Sequence, residues 1–299
     1  MRNHTTLSVN TPKEFSFKEC LKFLDRSKQE PLHVVRNEKV RKLVKIEGQY
    51  VLMELRHKSN RLLEVAILNT LPSESTKQAV QHYVREWFDL DRDLTPFYHL
   101  AKTDRLLRKL VRQHQGLRLI RIHDLFQGLC WAIIGQQINL AFAYTLYRRF
   151  IESFGESYTR DHQTYWLFPT PEAVAQSTIS ELRQLQFTGK KAEYILGLAQ
   201  SMMNGGVSKE RLLTCGDTEA IREALRAIRG VGSWTANYVL MRCLGLPRAF
   251  PIEDIGLHRA IQKQLKLDRK PTVDEIRELS AGWTDWQAYA TFYLYRSLL

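Results

Sequence analysis

Two glycines separated by one residue divide two helical patterns in the second half of the chain, and this short turn restricts the fold more than any other segment. Apolar residues recur at helical spacing over 218–228 and again over 233–245. Gly230 and Gly232 permit a positive φ and a close approach of the backbone to another molecule. We expect Ser233 to cap the second helix, whose first N–H groups lack intrahelical acceptors and can therefore bind an anion.

An aspartate follows this turn at a defined distance. Asp254 lies 22 positions after Gly232, at the end of the proline-containing segment 250–254. If the anion is a DNA phosphate, the paired helices form a helix-hairpin-helix motif. A glycine-rich turn between packed helices is the alternative for the hairpin, and a helix cap is the alternative for Asp254. The residues that would face the phosphate are Gly230, Val231, Gly232 and Ser233.

The segments GVGSWTANY (230–238) and FPIED (250–254) resemble the helix-hairpin-helix (HhH-GPD) DNA glycosylases, in which a proline-rich loop and an aspartate follow the hairpin. Within this superfamily the chain is most similar to the DNA-3-methyladenine glycosylase II branch. The resemblance implies a DNA N-glycosylase of base excision repair. Such an enzyme flips N-alkylated purines, such as 3-methyladenine and 7-methylguanine, out of duplex DNA and leaves an abasic site.

The resemblance places the catalytic carboxylate at Asp254. Hydrolysis of an N-glycosidic bond builds positive charge on the sugar, which a fixed carboxylate stabilises while it orients or deprotonates the attacking water. Glu253 lies about 100° around the same helix, so only one of the two acids faces the cleft. Trp234 stands where strand-cleaving relatives have a nucleophilic lysine. Because an indole cannot attack C1′, we expect a monofunctional enzyme.

The predicted base pocket is aromatic. Trp234, Tyr238 and Tyr295 match pocket positions of the resembling glycosylase, and an electron-rich ring attracts a cationic base by roughly 0.5–2 kcal/mol. The alternative is that Trp234 and Tyr238, four residues apart, are core aromatics. The chain departs from the family at Tyr295, where the family has tryptophan, and at Ile255, where it has an aromatic residue.

Further DNA contacts are also implied by the resemblance. A helix pattern breaks at Gly135, and Gln137 matches the residue that fills the gap left by the extruded base; a helix-capping amide pair is the alternative. Lys190 and Lys191, after a helix end expected at Gly189, either meet phosphate or are solvated. The family implies no required cofactor, but it places a monovalent cation on hairpin carbonyls. These carbonyls belong to Arg226, Ile228 and Val231.

The composition suits a polyanionic partner. A net charge of +12 and a pI of about 9.6 favour a polyanion, although a membrane surface would attract the same charge. The resemblance implies that this polyanion is duplex DNA containing damaged bases. No apolar run approaches the roughly 18 residues of a spanning helix, and residues 1–4 lead into polar sequence. The four cysteines lack the spacing of a zinc site, disulfide framework or iron–sulfur cluster. We expect an intracellular monomer without a membrane partner, in the cytoplasm or nucleoid if bacterial.

The predicted fold is α+β. Short β-branched runs before residue 75 indicate an antiparallel sheet covered by helices at 17–24 and 75–88, with turns at 36–38, 47–49 and 58–60. From residue 96 the apolar period is 3.6. We therefore expect an N-terminal sheet domain over 1–95, TATA-binding-protein-like by resemblance, and an all-helical body over 96–299. A cleft would separate helical subdomains at 123–248 and at 96–122 plus 249–299.

Two other functions stay open on the sequence alone. One is a glycosylase for a different lesion, such as hypoxanthine, uracil or an oxidised purine. The other is a non-catalytic helix-hairpin-helix module, which would bind phosphate without any need for Asp254.

Overall fold

The N-terminal part of the computed structural model is a five-stranded antiparallel sheet. Its strands are β1 (Thr5–Asn10), β2 (Val34–Arg36), β3 (Lys39–Ile46), β4 (Gln49–Ser59) and β5 (Leu62–Ile67), in the order β1-β5-β4-β3-β2. Asn37 and Glu38 have positive φ, as do Glu47 and Gly48, which suits two-residue hairpin turns. The structure describes residues 5–59 and 61–299; the polar start at 1–4 and position 60 of the third predicted turn lie outside the described residues.

Both faces of this sheet are covered. One face of the sheet packs against helices α1 (Phe17–Leu24) and α2 (Glu74–Trp87) in the main hydrophobic core. The other face meets a short hairpin of β6 (Ser157–Arg160) and β7 (Gln163–Trp166), whose Tyr165 forms a small apolar cluster with strand residues. The expectation of an all-helical body is thus corrected. Strands of four residues are too short to produce a recognisable alternation, and they are stabilised by contacts distant in sequence.

The rest of the chain is helical, which confirms the predicted α+β class with its helix-rich second part. Thr95–Thr103 and Lys209–Leu213 are helices that the sequence did not predict. Within the residues that the structure describes, no helix combines the length and apolar character needed to cross a membrane. The helices are α3 (Thr95–Thr103), α4 (Leu107–Gln113), α5 (Leu125–Gly135), α6 (Leu140–Phe154), α7 (Pro171–Ala175), α8 (Ile179–Gln184), α9 (Gly189–Met203), α10 (Lys209–Leu213), α11 (Thr218–Arg226), α12 (Ser233–Arg242), α13 (Ile255–Leu265), α14 (Val273–Leu279) and α15 (Gln287–Arg296), with a 3₁₀ turn at Ala281–Trp283.

The hydrophobic core continues from the sheet part to the last helix. The rings of Phe23 in α1 and Phe292 in α15 lie 4.3 Å apart, centroid to centroid. Next to them the buried Arg296 guanidinium pairs with Glu19 at 2.9 Å. These contacts fix α15 against the N-terminal part. The division at residue 95 and the cleft between helical subdomains stay predictions.

Candidate active site

The carboxylate expected to be catalytic is held at both of its oxygens. Asp254 is the N-cap of α13, and its Oδ1 accepts the Leu257 N–H at 2.9 Å. Its Oδ2 accepts the indole N–H of Trp234 at 2.6 Å. Both bonds restrict rotation of the carboxylate. Trp234 therefore orients the acid, a function that the sequence did not predict, whereas the neighbouring Glu253 is exposed.

A tyrosine from the last helix borders the same carboxylate. A Cβ placed on Gly256 would lie 2.8 Å from Asp254 Oδ1 and 3.5 Å from Cε1 of Tyr295. The Tyr295 hydroxyl is buried and has no hydrogen-bond partner among the described residues. Burial, and then the charge of Asp254, raises the pKa of this hydroxyl. A neutral, buried hydroxyl thus stands beside the carboxylate.

The loop before the acid is fixed from α13. His258 Nε2 contacts the Ile252 carbonyl at 2.8 Å, and the Asp254 N–H donates to the Pro251 carbonyl at 2.9 Å. His258 therefore holds the loop against the helix. Together the two contacts link the segment before Asp254 to the first turn of α13.

Tyr238 lies one helical turn deeper than Trp234 and is close to positive charge. The two rings are 5.8 Å apart. Arg242 donates to the Tyr238 hydroxyl at 3.2 Å, and its guanidinium carbon lies 5.7 Å from the Tyr238 ring centre. Trp234 is consequently the better-placed ring for a cationic base. Arg242 could have been noticed as one charged residue within the apolar run 239–244.

Tyr238 and Arg242 also line a cavity between the sheet part and the helical body. Burial lowers the pKa of the Lys42 ammonium to about 8. Guanidinium and ammonium groups outnumber carboxylates in its wall, so it suits hydrogen-bond acceptors better than cations. The charged residues that line it are Arg26, Glu30, Lys42, Arg121 and Arg242.

The glycines of the hairpin serve different purposes. Gly230 has a φ of 90°, and a Cβ there would lie 2.4 Å from the Tyr194 ring. Gly232 has a φ of −90°, with open space where a Cβ would stand. Gly232 is the N-cap of α12, so the prediction that Ser233 caps the helix is wrong. Because glycine has no side-chain acceptor, the first N–H groups of α12 are left for an external anion.

The middle residue of the hairpin is a structural residue. Val231 is buried, and its N–H donates to the Ile228 carbonyl at 3.0 Å. We therefore correct the expectation that Val231 itself binds the DNA backbone: its side chain packs in the core and its N–H closes the turn.

The two adjacent lysines also differ. Lys190 is exposed. Lys191 is buried, and its ammonium donates to the carbonyls of Ile134 at 2.7 Å and Gln136 at 2.8 Å. The expected phosphate contact of Lys191 is therefore corrected to an internal one. Gly189 begins α9 rather than ending a helix.

The two glutamines after α5 have separate environments. The side-chain amide of Gln136 donates to the Gly230 carbonyl at 2.9 Å and to Thr235 Oγ1 at 3.1 Å. Gln137 is exposed and has a left-handed backbone with a φ of 56°. Only Gln137 is thus available to DNA. In the sequence, Gln136 is marked only as the other amide residue beside Gln137 at the helix break. Its role could not be predicted because its hydrogen-bond partners come from a distant segment.

Comparison with known protein families agrees with this arrangement. The model for "HhH-GPD superfamily base excision DNA repair protein" matches residues 130–285, which include the hairpin and Asp254. The chain belongs to the HhH-GPD superfamily. A second model, "8-oxoguanine DNA glycosylase, N-terminal domain", matches residues 8–128.

A curated relative matches this HhH-GPD protein over nearly its whole length, and another matches it over about two thirds. It is 44% identical over 292 residues to a DNA-3-methyladenine glycosylase of Bacillus subtilis, covering 97% of this chain and 96% of the relative. It is 29% identical to DNA-3-methyladenine glycosylase 2 of Escherichia coli, covering 63% of each chain. The predicted superfamily and the predicted enzyme class, a DNA N-glycosylase of base excision repair, are confirmed. The non-catalytic alternative is excluded.

Solved structures show the same fold. A 3-methyladenine DNA-glycosylase from Archaeoglobus fulgidus superposes with a TM-score of 0.83 at 23% identity, covering 97% of both chains. An 8-oxoguanine glycosylase/lyase of Clostridium acetobutylicum, solved in complex with double-stranded DNA, gives 0.76 at 19% identity, covering 99% of this chain and 96% of that one. These structures establish the fold; that the enzyme acts on DNA follows from its superfamily and from the Bacillus subtilis relative.

Proposed function

We propose that the enzyme is a monofunctional glycosylase that flips N-alkylated purines, 3-methyladenine and 7-methylguanine, out of duplex DNA and leaves an abasic site. The observation that carries this proposal is the bond from Trp234 to Asp254. The indole of Trp234 occupies the position where strand cleavage would need a nucleophilic amine. Its hydrogen bond fixes the orientation of the Asp254 carboxylate. The names of the Bacillus subtilis and Escherichia coli relatives support the substrate class.

The chemistry follows from the fixed carboxylate. A purine alkylated at N3 or N7 is cationic and leaves without a general acid, so stabilisation of the sugar cation becomes the main requirement. Asp254 supplies negative charge in one orientation and can accept a proton from the attacking water. The ring of Trp234 attracts the cationic base. Tyr295 completes the aromatic wall of the site.

Backbone N–H groups and side chains of the enzyme would both hold the DNA. The first turn of α12, beginning after Gly232, binds phosphate, and the exposed Lys190 adds a second phosphate contact. Gln137 fills the gap left by the extruded base. Carbonyls of Arg226, Ile228 and Val231 would hold a monovalent cation, as the family resemblance implies. A monomer acting inside the cell completes the proposal.

A neutral oxopurine such as hypoxanthine is the second candidate substrate. The cavity between the sheet part and the helical body is lined by guanidinium and ammonium groups, including Arg26, Lys42 and Arg242. Such donors favour a carbonyl oxygen over a cationic ring.

The test is to incubate the enzyme with methylated duplex DNA and with a hypoxanthine-containing duplex, and to identify every released base by chromatography. We expect free 3-methyladenine and 7-methylguanine. Release of hypoxanthine alone would favour the second candidate, and an enzyme that releases neither class would contradict both.

A further inference from the structure

A buried lysine closes the C-terminal end of α5. The ammonium of Lys191, from the first turn of α9, donates to two carbonyls that the end of α5 leaves without intrahelical partners, those of Ile134 and Gln136. A cation is favourable at this end of a helix dipole. In the part of the chain that the structure describes, no carboxylate forms an ion pair with Lys191. The lysine is thus committed to these carbonyls alone.

One of these carbonyls controls an unusual backbone conformation. The Gln136 carbonyl belongs to the peptide group that joins Gln136 to Gln137, so its orientation is coupled to the φ of Gln137. That φ is 56°, a left-handed value. Residues with a Cβ keep such a conformation only where their surroundings determine it. The bond from Lys191 fixes the peptide plane that presents Gln137.

The side chain of Gln136 ties the same turn to the hairpin. Its amide donates to the Gly230 carbonyl and to Thr235 Oγ1. A Cβ on Gly230 would lie 2.4 Å from the ring of Tyr194, so the hairpin backbone lies close to α9. The start of α9, the turn after α5 and the hairpin are therefore joined by hydrogen bonds through Gln136.

We propose that Lys191 and Gln136 are positioning residues that couple phosphate binding at the hairpin to insertion of Gln137 into the duplex. The inference rests on the proposed function for the role of Gln137. When a phosphate engages the start of α12, the network holds Gln137 at a fixed place relative to it. Neither Lys191 nor Gln136 needs to touch DNA.

The experiment compares four variants by two measurements. Anisotropy gives the affinity for an undamaged duplex, and stopped-flow fluorescence of 2-aminopurine next to a 7-methylguanine gives base extrusion at saturating enzyme. We expect Lys191→Met to lower the extrusion equilibrium on the order of tenfold and to leave duplex affinity within about twofold. Gln136→Glu keeps the shape but removes the donors, so it should lower extrusion likewise. Its added negative charge beside the hairpin should also weaken duplex affinity.

The matched controls separate coupling from simple phosphate binding. Lys190→Met should weaken duplex affinity and leave extrusion by bound enzyme unchanged, and the exposed Lys18→Met should change neither. Extrusion at the wild-type level in both Lys191→Met and Gln136→Glu would overturn the coupling. So would a loss of affinity alone, as in Lys190→Met. If Lys191→Met melts at a much lower temperature, Gln136→Glu decides by the same criteria. Absence of extrusion by the wild-type enzyme would instead overturn the proposed function and the coupling with it.

Discussion

At the scale of single residues, Trp234 determines the reaction type. Strand cleavage by a glycosylase needs an amine that attacks C1′ and forms a Schiff base. Where strand-cleaving relatives have that amine, this enzyme has the indole of Trp234, which is hydrogen-bonded to Asp254. We predict that borohydride traps no covalent complex with alkylated DNA and that the product strand is intact until alkali is added. A lysine-bearing glycosylase/lyase serves as the positive control. A trapped adduct would contradict the monofunctional assignment.

Trp234 also combines two functions that substitution can separate. Trp234→Phe keeps an aromatic face but removes the N–H that orients Asp254, so we expect kcat to fall about tenfold for 7-methylguanine and hypoxanthine alike, a loss of about 1.4 kcal/mol. Trp234→Ala removes the ring as well and should lower 7-methylguanine excision about tenfold more than hypoxanthine excision, because only the cation interacts with the ring quadrupole. Single-turnover kinetics measure both. Equal losses in Trp234→Ala would show that the ring makes no cation–π contribution.

At the scale of elements, the two hairpin glycines predict different phenotypes. Gly230→Ala forces a Cβ into Tyr194 at a positive φ, so it should destabilise the protein by about 1–3 kcal/mol in thermal unfolding. Gly232→Leu meets open space, and replacing glycine at the N-cap of α12 should cost no more than about 1 kcal/mol of stability. It should nevertheless weaken binding to every duplex sequence equally, because it obstructs a phosphate contact. Sequence-dependent weakening would argue against a phosphate-binding hairpin.

The elements also show what the sequence can predict. The bounds of α1 and α2 were predicted to within one residue because their apolar period is local. β1 and the β6–β7 hairpin were missed because distant contacts stabilise them. In the site, the motif located Asp254 and Trp234, but their hydrogen bond depends on how α12 and the start of α13 pack. Likewise, adjacent lysines look alike in sequence, and only the end of α5 distinguishes Lys191 from Lys190.

At the scale of the whole molecule, one buried charge cluster joins the sheet part to the last helix. Burial alone would raise the pKa of Glu19, but hydrogen bonds from Lys22 and His114 and the charge of Arg296 outweigh it and lower the pKa. Because the pKa of Glu19 is lower in the folded than in the unfolded chain, this carboxylate stabilises the fold at any pH above its unfolded-state pKa. The contribution is lost as the pH falls through its folded-state pKa.

The measurable consequence is a pH-dependent effect of one substitution. Glu19→Gln leaves Arg296 buried without its partner and should lower the free energy of unfolding by about 3 kcal/mol at neutral pH. The gap between wild type and variant should shrink as pH falls below about 4.3, the usual value for a glutamate. Chemical denaturation at a series of pH values measures it. A gap that is constant down to acid pH would mean that the cluster contributes no proton-linked stability.

The most direct test of the proposed function is the rate of base release by an enzyme variant whose residue 254 carries no charge. Asp254→Asn keeps the size, and its one carbonyl oxygen can accept only one of the two N–H groups that Asp254 binds, from Leu257 or from Trp234. It offers no negative charge to the sugar cation. On a 7-methylguanine duplex we expect release to fall by a factor on the order of 100 or more, with duplex affinity retained. The exposed Glu253→Gln should excise like the wild type. Full excision by Asp254→Asn, or an inactive Glu253→Gln beside it, would contradict the assignment of Asp254 as the catalytic carboxylate.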